Sequence, residues 1–201
     1  MGKDQRDFDF SKRAAYYDAG IEGKMSKRFY VLLQNEVNLS EGMRLLDVGC
    51  GTGALLKRLC EKNSIEAYGI DADAKMIETA KRQCPDYALT QAPGEKMPFA
   101  DEYFDVLTAC LAYHHFSDKA GFAKEAARVL KPGGLLYIAD PRFPYVIRKS
   151  LNGILRLFRL VGRFFTVREI ADAFAEYGFE FIGAANNGYA QVVKLLRVCK
   201  N

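Results

Sequence analysis

The stretch that decides the fold reads LLDVGCGTG and covers residues 45–53. It continues a short apolar run that starts at residue 43 and ends in glycines, which is typical of a strand buried on both faces in a parallel sheet. Residues 54–60 then return to helical spacing. Glycines at such a junction let the backbone approach a ligand closely, and the start of the helix offers free N–H groups. The stretch therefore predicts a ligand-binding loop at the carboxyl edge of a parallel sheet.

Strands and helices alternate outward from this loop. Apolar residues at helical spacing predict a helix before it, and two strand-like runs close the chain around a hairpin signal at residues 186–188. Thr166 and Glu169 form a capping-box pattern at the start of a final helix. The predicted strands are residues 43–48, 67–71, 87–90, 104–109, 135–139, 179–183 and 189–198, and the predicted helices between them include 74–82, 119–130 and 166–177. The fold class is therefore α/β, with a doubly wound, seven-stranded, mostly parallel sheet and an antiparallel last strand.

The chain of 201 residues is expected to form a single domain. We divide it into an N-terminal helical lid (1–40), a cofactor-binding core (41–140), a basic amphipathic insertion (141–168) and a closing helix and hairpin (169–201). The charged N-terminus predicts no signal peptide, and no apolar stretch is long enough to span a membrane. Five cysteines without a CxxC pair predict free thiols and no metal site. These features together predict a cytoplasmic protein.

An acidic residue at the end of the second strand suggests a nucleoside. Asp71 follows Gly51 by 20 residues, where a carboxylate can accept hydrogen bonds from both hydroxyls of a ribose. Gly49, Gly51 and Ala54 satisfy the dinucleotide pattern GxGxxG/A. However, Asp47 at the head of the loop would repel a pyrophosphate, whereas it suits a ligand that carries an ammonium and a sulfonium.

The loop closely resembles the first motif of the class I S-adenosylmethionine-dependent methyltransferases. Further stretches that resemble motifs of this family follow in order at residues 69–73, 94–99, 104–106 and 129–136. The sequence HHF at residues 114–116 resembles the corresponding motif of the methyltransferase type 11 subgroup, which contains quinone-biosynthesis enzymes. The family usually has an acid where this chain has Pro93. The resemblance implies S-adenosylmethionine as cofactor, S-adenosylhomocysteine as product and no metal. It implies that the cofactor-binding residues are Tyr17, Asp47, Gly49, Cys50, Gly51, Gly53, Asp71, Ala72, Met76, Gly94, Glu95 and Cys110.

The implied reaction is methyl transfer to an unidentified small-molecule acceptor by in-line displacement. For this reaction the protein mainly has to align the acceptor with the methyl group and exclude water. His114 and His115 are the only histidines. His115 is the candidate catalytic residue, either as a base or as a group that only orients its loop. The alternatives to this function are a dinucleotide-dependent oxidoreductase and an inactive methyltransferase-like binding partner.

Positive charge is concentrated in one segment. Residues 142–168 hold seven basic residues and no acid, whereas the net charge of the whole chain is only +4. A single amphipathic helix is predicted here, with Lys149, Asn152, Arg156, Arg159 and Arg163 on one arc. Three interpretations stay open, namely a packed lid helix, a lining for an apolar or anionic substrate, and a peripheral membrane contact. The even balance elsewhere predicts no nucleic-acid partner, and the oligomeric state is undetermined.

Overall fold

The computed structural model describes residues 21–61, 64–158 and 162–198. Tyr17 and the rest of residues 1–20 of the predicted lid lie outside the described residues, as do Arg159 and Cys199. The helices are α1 (Ile21–Glu36), α2 (Ala54–Cys60), α3 (Ala74–Gln83), α4 (Lys119–Val129), α5 (Tyr145–Leu157) and α6 (Val167–Ala175), with a 3-10 turn at Tyr113–His115. The strands are β1 (Arg44–Val48), β2 (Glu66–Asp71), β3 (Ala88–Gln91), β4 (Phe104–Cys110), β5 (Leu130–Pro141), β6 (Phe179–Asn187) and β7 (Ala190–Arg197).

The seven strands form one sheet in the order β3-β2-β1-β4-β5-β7-β6. Strands β1 to β5 pair in parallel, and β7 runs antiparallel to both β5 and β6. The predicted fold class is confirmed. The strand order reverses between β1 and β4, and in open α/β sheets the ligand crevice lies outside the carboxyl ends of the strands at such a switch point.

Helices cover both faces of the sheet, and the core is divided accordingly. One cluster joins the sheet to α4 and α6 through Phe122 and Phe174, and the other joins it to α1 and α2 through Phe29 and Leu56. These side chains are at most 2% exposed. The central strand β1 lies between the two layers, so its Leu45, Leu46 and Val48 are fully buried, as expected for a parallel strand covered twice.

Strand β5 is longer than predicted. It begins at Leu130, directly after α4, and includes the turn at residues 131–134 that we expected to separate helix from strand. Leu130 pairs with Phe104, and the register of β5 against β4 then shifts before Leu135 pairs with Val106. Gly133 accommodates the local turn with φ of +78°. The four residues are thus an irregularity inside the strand.

The prediction of a single helix through the basic segment is wrong. Helix α5 ends at Leu157, and Arg163 lies in an irregular stretch, residues 162–166, that precedes α6. Asn152 holds this stretch against α5, because its amide oxygen accepts from the N–H of Phe164 at 2.9 Å and its amide nitrogen donates to the Phe164 carbonyl at 2.9 Å. Asn152 is half-buried by this contact and is no part of an exposed polar stripe.

The order of elements in the last third of the chain otherwise follows its prediction, but β6 runs on to Asn187, so the hairpin turn lies at residues 188–189 and not at 186–188. Thr166 and Glu169 form the capping box, with the Thr166 hydroxyl accepting from the Glu169 N–H at 3.1 Å. The closing hairpin places β6 at the edge of the sheet. The register of β6 against β7 shifts between Phe181 and Gly183, so Ile182 is an extra residue in a β-bulge.

Candidate active site

A cavity of about 460 Å³ opens at the carboxyl ends of β1, β2 and β4. This volume is in the range of small-molecule sites, about 300–1,000 Å³. Eleven of the residues predicted from the sequence line it, namely Asp47, Gly49, Cys50, Gly51, Asp71, Ala72, Met76, Gly94, Glu95, Cys110 and His115. Tyr17 lies outside the described residues, and Gly53 does not line the cavity. Gly53 has φ of +82° at the start of α2, where an added Cβ would meet the Cys84 sulfur at 3.2 Å.

The glycine loop is tightly packed at Gly49 and open at Gly51. A Cβ on Gly49 would lie 2.5 Å from the Cβ of Ala112, and a Cβ on Gly51 would have no neighbour within 4 Å. Both glycines have positive φ, at +76° and +53°. The Gly49 and Cys50 N–H groups donate to the Ile70 carbonyl, which fixes the loop against β2. The loop backbone is thus held in place and exposed to the cavity.

Asp71 is held by two backbone hydrogen bonds. One of its carboxylate oxygens accepts from the Gly51 N–H and the other from the Asp73 N–H, each at 2.9 Å. A carboxylate oxygen can accept two hydrogen bonds, so one position on each oxygen is left for a ligand. Burial raises the pKa of Asp71, and the two backbone donors oppose that effect. The side chain is oriented in advance to receive a pair of hydroxyl groups.

Asp47 is a buried carboxyl group, only 1% exposed. Its one hydrogen bond given by the structure comes from the Thr108 hydroxyl at 2.7 Å. Burial raises the pKa of Asp47 to about 7, the Thr108 bond lowers it, and the nearby Asp71 charge raises it. A buried carboxylate is costly unless a cation or several donors compensate it. Asp47 therefore favours a cationic group in the cavity.

The lining of the cavity is acidic overall. Four carboxylates contribute, from Asp47, Asp71, Asp73 and Glu95, and no Lys or Arg is among the described residues that line it. The two cysteines in the lining are unreactive, because burial raises the pKa of Cys50 and of Cys110 well above the usual range of a thiol. Cationic ligands fit this cavity, and a pyrophosphate does not.

His115 lines the cavity, as do Tyr30, Leu111 and Phe116. Burial, with the nearby His114 and Lys119 charges, lowers the pKa of His115 to about 3, so the imidazole is neutral at physiological pH. His114 lies against it with ring centroids 3.9 Å apart, and its Nδ1 is 2.8 Å from an Asp140 carboxylate oxygen. The histidine pair is thereby anchored to the end of β5.

Several lining residues were not predicted from the sequence. Thr52 lies inside the predicted loop, and the others are Tyr30, Leu55, Asp73, Ala92, Pro93, Leu111, Ala112, Phe116 and Ser117. The position of Asp73 could have been predicted, because an aspartate directly before a helix is a common N-cap. In the structure its side chain caps α3 by accepting from the Lys75 and Met76 N–H groups. No local signal marks Leu111, which adopts φ of +55° where β4 ends. Its N–H donates to the Ala139 carbonyl of β5 at 2.8 Å, so its conformation depends on the neighbouring strand.

Within residues 21–61, 64–158 and 162–198, no group of three or more His, Cys, Asp or Glu side chains could hold a metal ion.

The fold, the glycine loop and the two aspartates are typical of the Rossmann-like methyltransferases, and comparison with known proteins places the chain in a family. A family model described as "Methyltransferase domain" matches residues 46–138. The ubiquinone/menaquinone biosynthesis C-methyltransferase UbiE of Geotalea daltonii is 31% identical over 172 residues, covering 79% of this chain and 70% of the relative. The chain therefore belongs to the class I S-adenosylmethionine-dependent methyltransferases, in the group related to quinone-biosynthesis enzymes.

Two further matches are similar over different lengths. A demethylmenaquinone methyltransferase of Chlorobaculum parvum is 38% identical over 101 residues, which is 50% of this chain and 42% of that protein. The chain spans about half the length of most of the curated relatives that it matches. Among solved structures, a methyltransferase in complex with the Trm112 activator from Haloferax volcanii superposes with a TM-score of 0.80 at 18% identity, covering 98% of this chain and 100% of that chain. At this identity, the superposition shows a shared fold.

Proposed function

We propose that the protein transfers a methyl group from S-adenosylmethionine to an apolar small molecule by in-line displacement. The observation that carries the proposal is the acidic cavity, which has the buried Asp47 in its lining and no Lys or Arg among the described lining residues. S-adenosylmethionine brings an ammonium and a sulfonium to these carboxylates, whereas a dinucleotide would bring a pyrophosphate. The charge of the cavity thus disfavours the oxidoreductase alternative.

The residues of the cavity fit this cofactor. Asp47 would pair with the ammonium, and the two free acceptor positions of Asp71 would receive the ribose hydroxyls. Met76 is 4% exposed and lines the cavity with Ala72 and Gly94, which together offer an apolar slot for the adenine. When bound, the cofactor supplies an activated methyl group on a sulfonium.

The part of the cavity around His115 would hold the acceptor. Tyr30, Leu111 and Phe116 would exclude water from the reacting atoms, and His115 would offer the one imidazole in the lining as a hydrogen-bond partner. A pKa of about 3 makes this imidazole a weak base at neutral pH, because general-base catalysis is most effective when the pKa lies near the working pH. We therefore assign His115 a role in orienting the acceptor.

The class of acceptor follows from the apolar walls and from the relatives. Two relatives are named for demethylmenaquinone and for ubiquinone/menaquinone biosynthesis. We extend this to a hydroquinone or a similar hydroxylated apolar ring as the acceptor in this chain. Cytoplasmic location and the absence of a nucleic-acid partner are further parts of the proposal.

Ligand binding and turnover together test the proposal. S-adenosylhomocysteine should raise the melting temperature of the protein and NAD should not, because NAD carries a pyrophosphate that the carboxylates of the cavity repel, whereas S-adenosylhomocysteine carries an ammonium group that they attract. Transfer of a radiolabelled methyl group to a panel of hydroquinones should follow. Stabilisation by NAD alone would favour an oxidoreductase. Failure to bind S-adenosylhomocysteine at millimolar concentration would favour an inactive binding partner.

The His115→Gln variant separates acceptor orientation from cofactor binding. We expect the KM for the acceptor to rise by about tenfold, because one hydrogen bond is lost or misaligned. The Kd for S-adenosylhomocysteine should stay unchanged. Asp71→Asn is the matched control with the opposite result, a weaker Kd for S-adenosylhomocysteine. If His115→Gln weakens cofactor binding as much as Asp71→Asn does, His115 has no separate role toward the acceptor.

A further inference from the structure

Helix α5 turns apolar side chains toward solvent. None of its residues is buried. Val146, Ile147, Ile154 and Leu157 are between 50% and 75% exposed, and Phe158, which follows the helix, is 66% exposed. We call these five residues the outer face of α5. Scattered exposed apolar residues are ordinary, but four on one short helix and a fifth directly after it form a patch that indicates an interaction surface.

Helical geometry separates α5 into three sides. At 3.6 residues per turn, the outer face covers an arc of about 120°. A second side, with the half-buried Leu151, Asn152 and Leu155, faces the protein. The remaining side carries the exposed cations Lys149 and Arg156. An exposed apolar face beside a cationic row is the pattern of a helix that lies in the interface of a lipid bilayer.

The charged residues next to the outer face of α5 indicate what kind of surface it binds. Residues 142–168 contain seven basic residues and no acid. Glu169, directly after them, forms ion pairs with Arg148 and Arg163, whereas Lys149 and Arg156 are exposed beside the outer face. A second copy of the chain would place the same two exposed cations along the interface, and like charges that meet across an interface are repelled. An anionic lipid surface satisfies both the apolar face and the cationic row, since acyl chains accept the first and head groups the second.

The helix is also connected to the candidate acceptor site. The N–H of Arg163, in the stretch after α5, donates to the His114 carbonyl at 3.1 Å. Asn152 ties that stretch to α5 through both of its amide atoms. His115, adjacent to His114, lines the cavity. A helix lying on a membrane would therefore bring the acceptor end of the cavity close to the lipid surface.

We propose that α5 docks the protein on an anionic membrane surface, with the outer face in the acyl boundary and Lys149 and Arg156 at the head groups. None of the described helices is long and apolar enough to cross a membrane, so the contact is peripheral. Docking is independent of methyl transfer, because vesicle binding can be measured without cofactor or acceptor.

Co-sedimentation of the full chain with vesicles tests the proposal. We expect binding to vesicles of phosphatidylcholine mixed with phosphatidylglycerol, much weaker binding to phosphatidylcholine alone, and weakening as salt is added. The double variant Ile154→Glu with Leu157→Glu should lower the partition coefficient at least about tenfold. Lys149→Gln with Arg156→Gln should lower it about fivefold per charge.

The matched control places the same kind of change on another surface. Phe181 and Ile182 are about half exposed on β6, so Phe181→Glu with Ile182→Glu should leave vesicle binding unchanged. Thermal melting verifies that each variant folds. If the double variant Ile154→Glu with Leu157→Glu does not fold, the single variant Leu157→Ser replaces it in the vesicle-binding measurement. Equal binding to both kinds of vesicle, no binding, or unchanged binding by the α5 variants would overturn the proposal. So would a dimer of the wild type that these α5 substitutions dissociate without any vesicle binding.

Discussion

Replacing Asp47 by asparagine should remove most of the pH dependence of S-adenosylhomocysteine binding. In the free protein, burial keeps the pKa of Asp47 near 7, so the carboxyl is largely protonated below that pH. An ammonium bound beside it stabilises the ionised form and lowers the pKa. Binding then requires loss of a proton, and the affinity should fall as the pH falls below 7.

The size of the effect follows from the linkage between proton and ligand. Affinity should be flat above pH 7 and fall by up to about tenfold per pH unit below it, which is about 100-fold by pH 5, or roughly 2.7 kcal/mol. His115 stays neutral over this whole range, since its pKa is about 3. The pKa of Asp71 is also raised, so Asp71 can contribute to the slope of affinity against pH. The Asp47→Asn variant still contains Asp71 and therefore keeps that contribution.

Isothermal titration calorimetry between pH 5 and 8 measures both affinity and proton release. Asp47→Asn should bind more weakly at pH 8 and show a much smaller slope. Thr108→Val provides a second measure. It deletes the hydroxyl that donates to Asp47 at 2.7 Å, so the pKa of Asp47 rises and the midpoint moves up by on the order of one pH unit. A flat profile in the wild type, or the full slope in Asp47→Asn, would refute the pairing of Asp47 with the ammonium.

Four further outcomes can be measured. Without ligand, Asp47 destabilises the fold increasingly as pH rises from about 4 to 7, because its folded pKa exceeds its unfolded one, so Asp47→Asn should melt higher than wild type at pH 8 but not at pH 4. Gly69→Ala should lower the free energy of unfolding in urea by about 1–3 kcal/mol, because an added Cβ meets three side chains at 2.8–2.9 Å. Gly51→Ala should cost only about 1–2 kcal/mol, since its Cβ has open space and only φ is strained, yet reduce S-adenosylhomocysteine affinity more than about tenfold; unchanged affinity would place this loop away from the ligand. Thr166→Ala should cost about 1 kcal/mol in thermal melting through loss of the α6 cap, and no change would mean that the capping box adds nothing to stability.

Local sequence was sufficient wherever local chemistry determines the structure. The strand–glycine–helix stretch at residues 43–60 and the box of Thr166 and Glu169 could be predicted because each depends on neighbours within a few residues. The raised pKa of Asp47 needed more, since the burial that causes it comes from β1 lying between β2 and β4. The sequence predicted that the Asp47 carboxylate lies near a cationic ligand, but the burial of Asp47 depends on the arrangement of the strands in the sheet.

Residues controlled by distant partners could not be predicted. Helical periodicity placed Asn152 on an exposed arc, but its amide binds the backbone of Phe164, twelve residues away. Leu111 takes a left-handed conformation because β5 supplies an acceptor for its N–H. The helix that contains Tyr30 was predicted, yet only packing decides that Tyr30 points into the cavity. Each of these features needs a hydrogen bond or contact that the sequence does not show.

The bulge in β6 has a consequence for solubility. An edge strand exposes unpaired N–H and C=O groups that can recruit a strand from another molecule, and Phe181 and Ile182 make this edge apolar as well. The extra residue at Ile182 bends the strand and breaks the regular spacing that an incoming strand would need. Deletion of Ile182 would remove the extra residue and straighten the edge, and it would leave the hairpin more prone to fibrillar association.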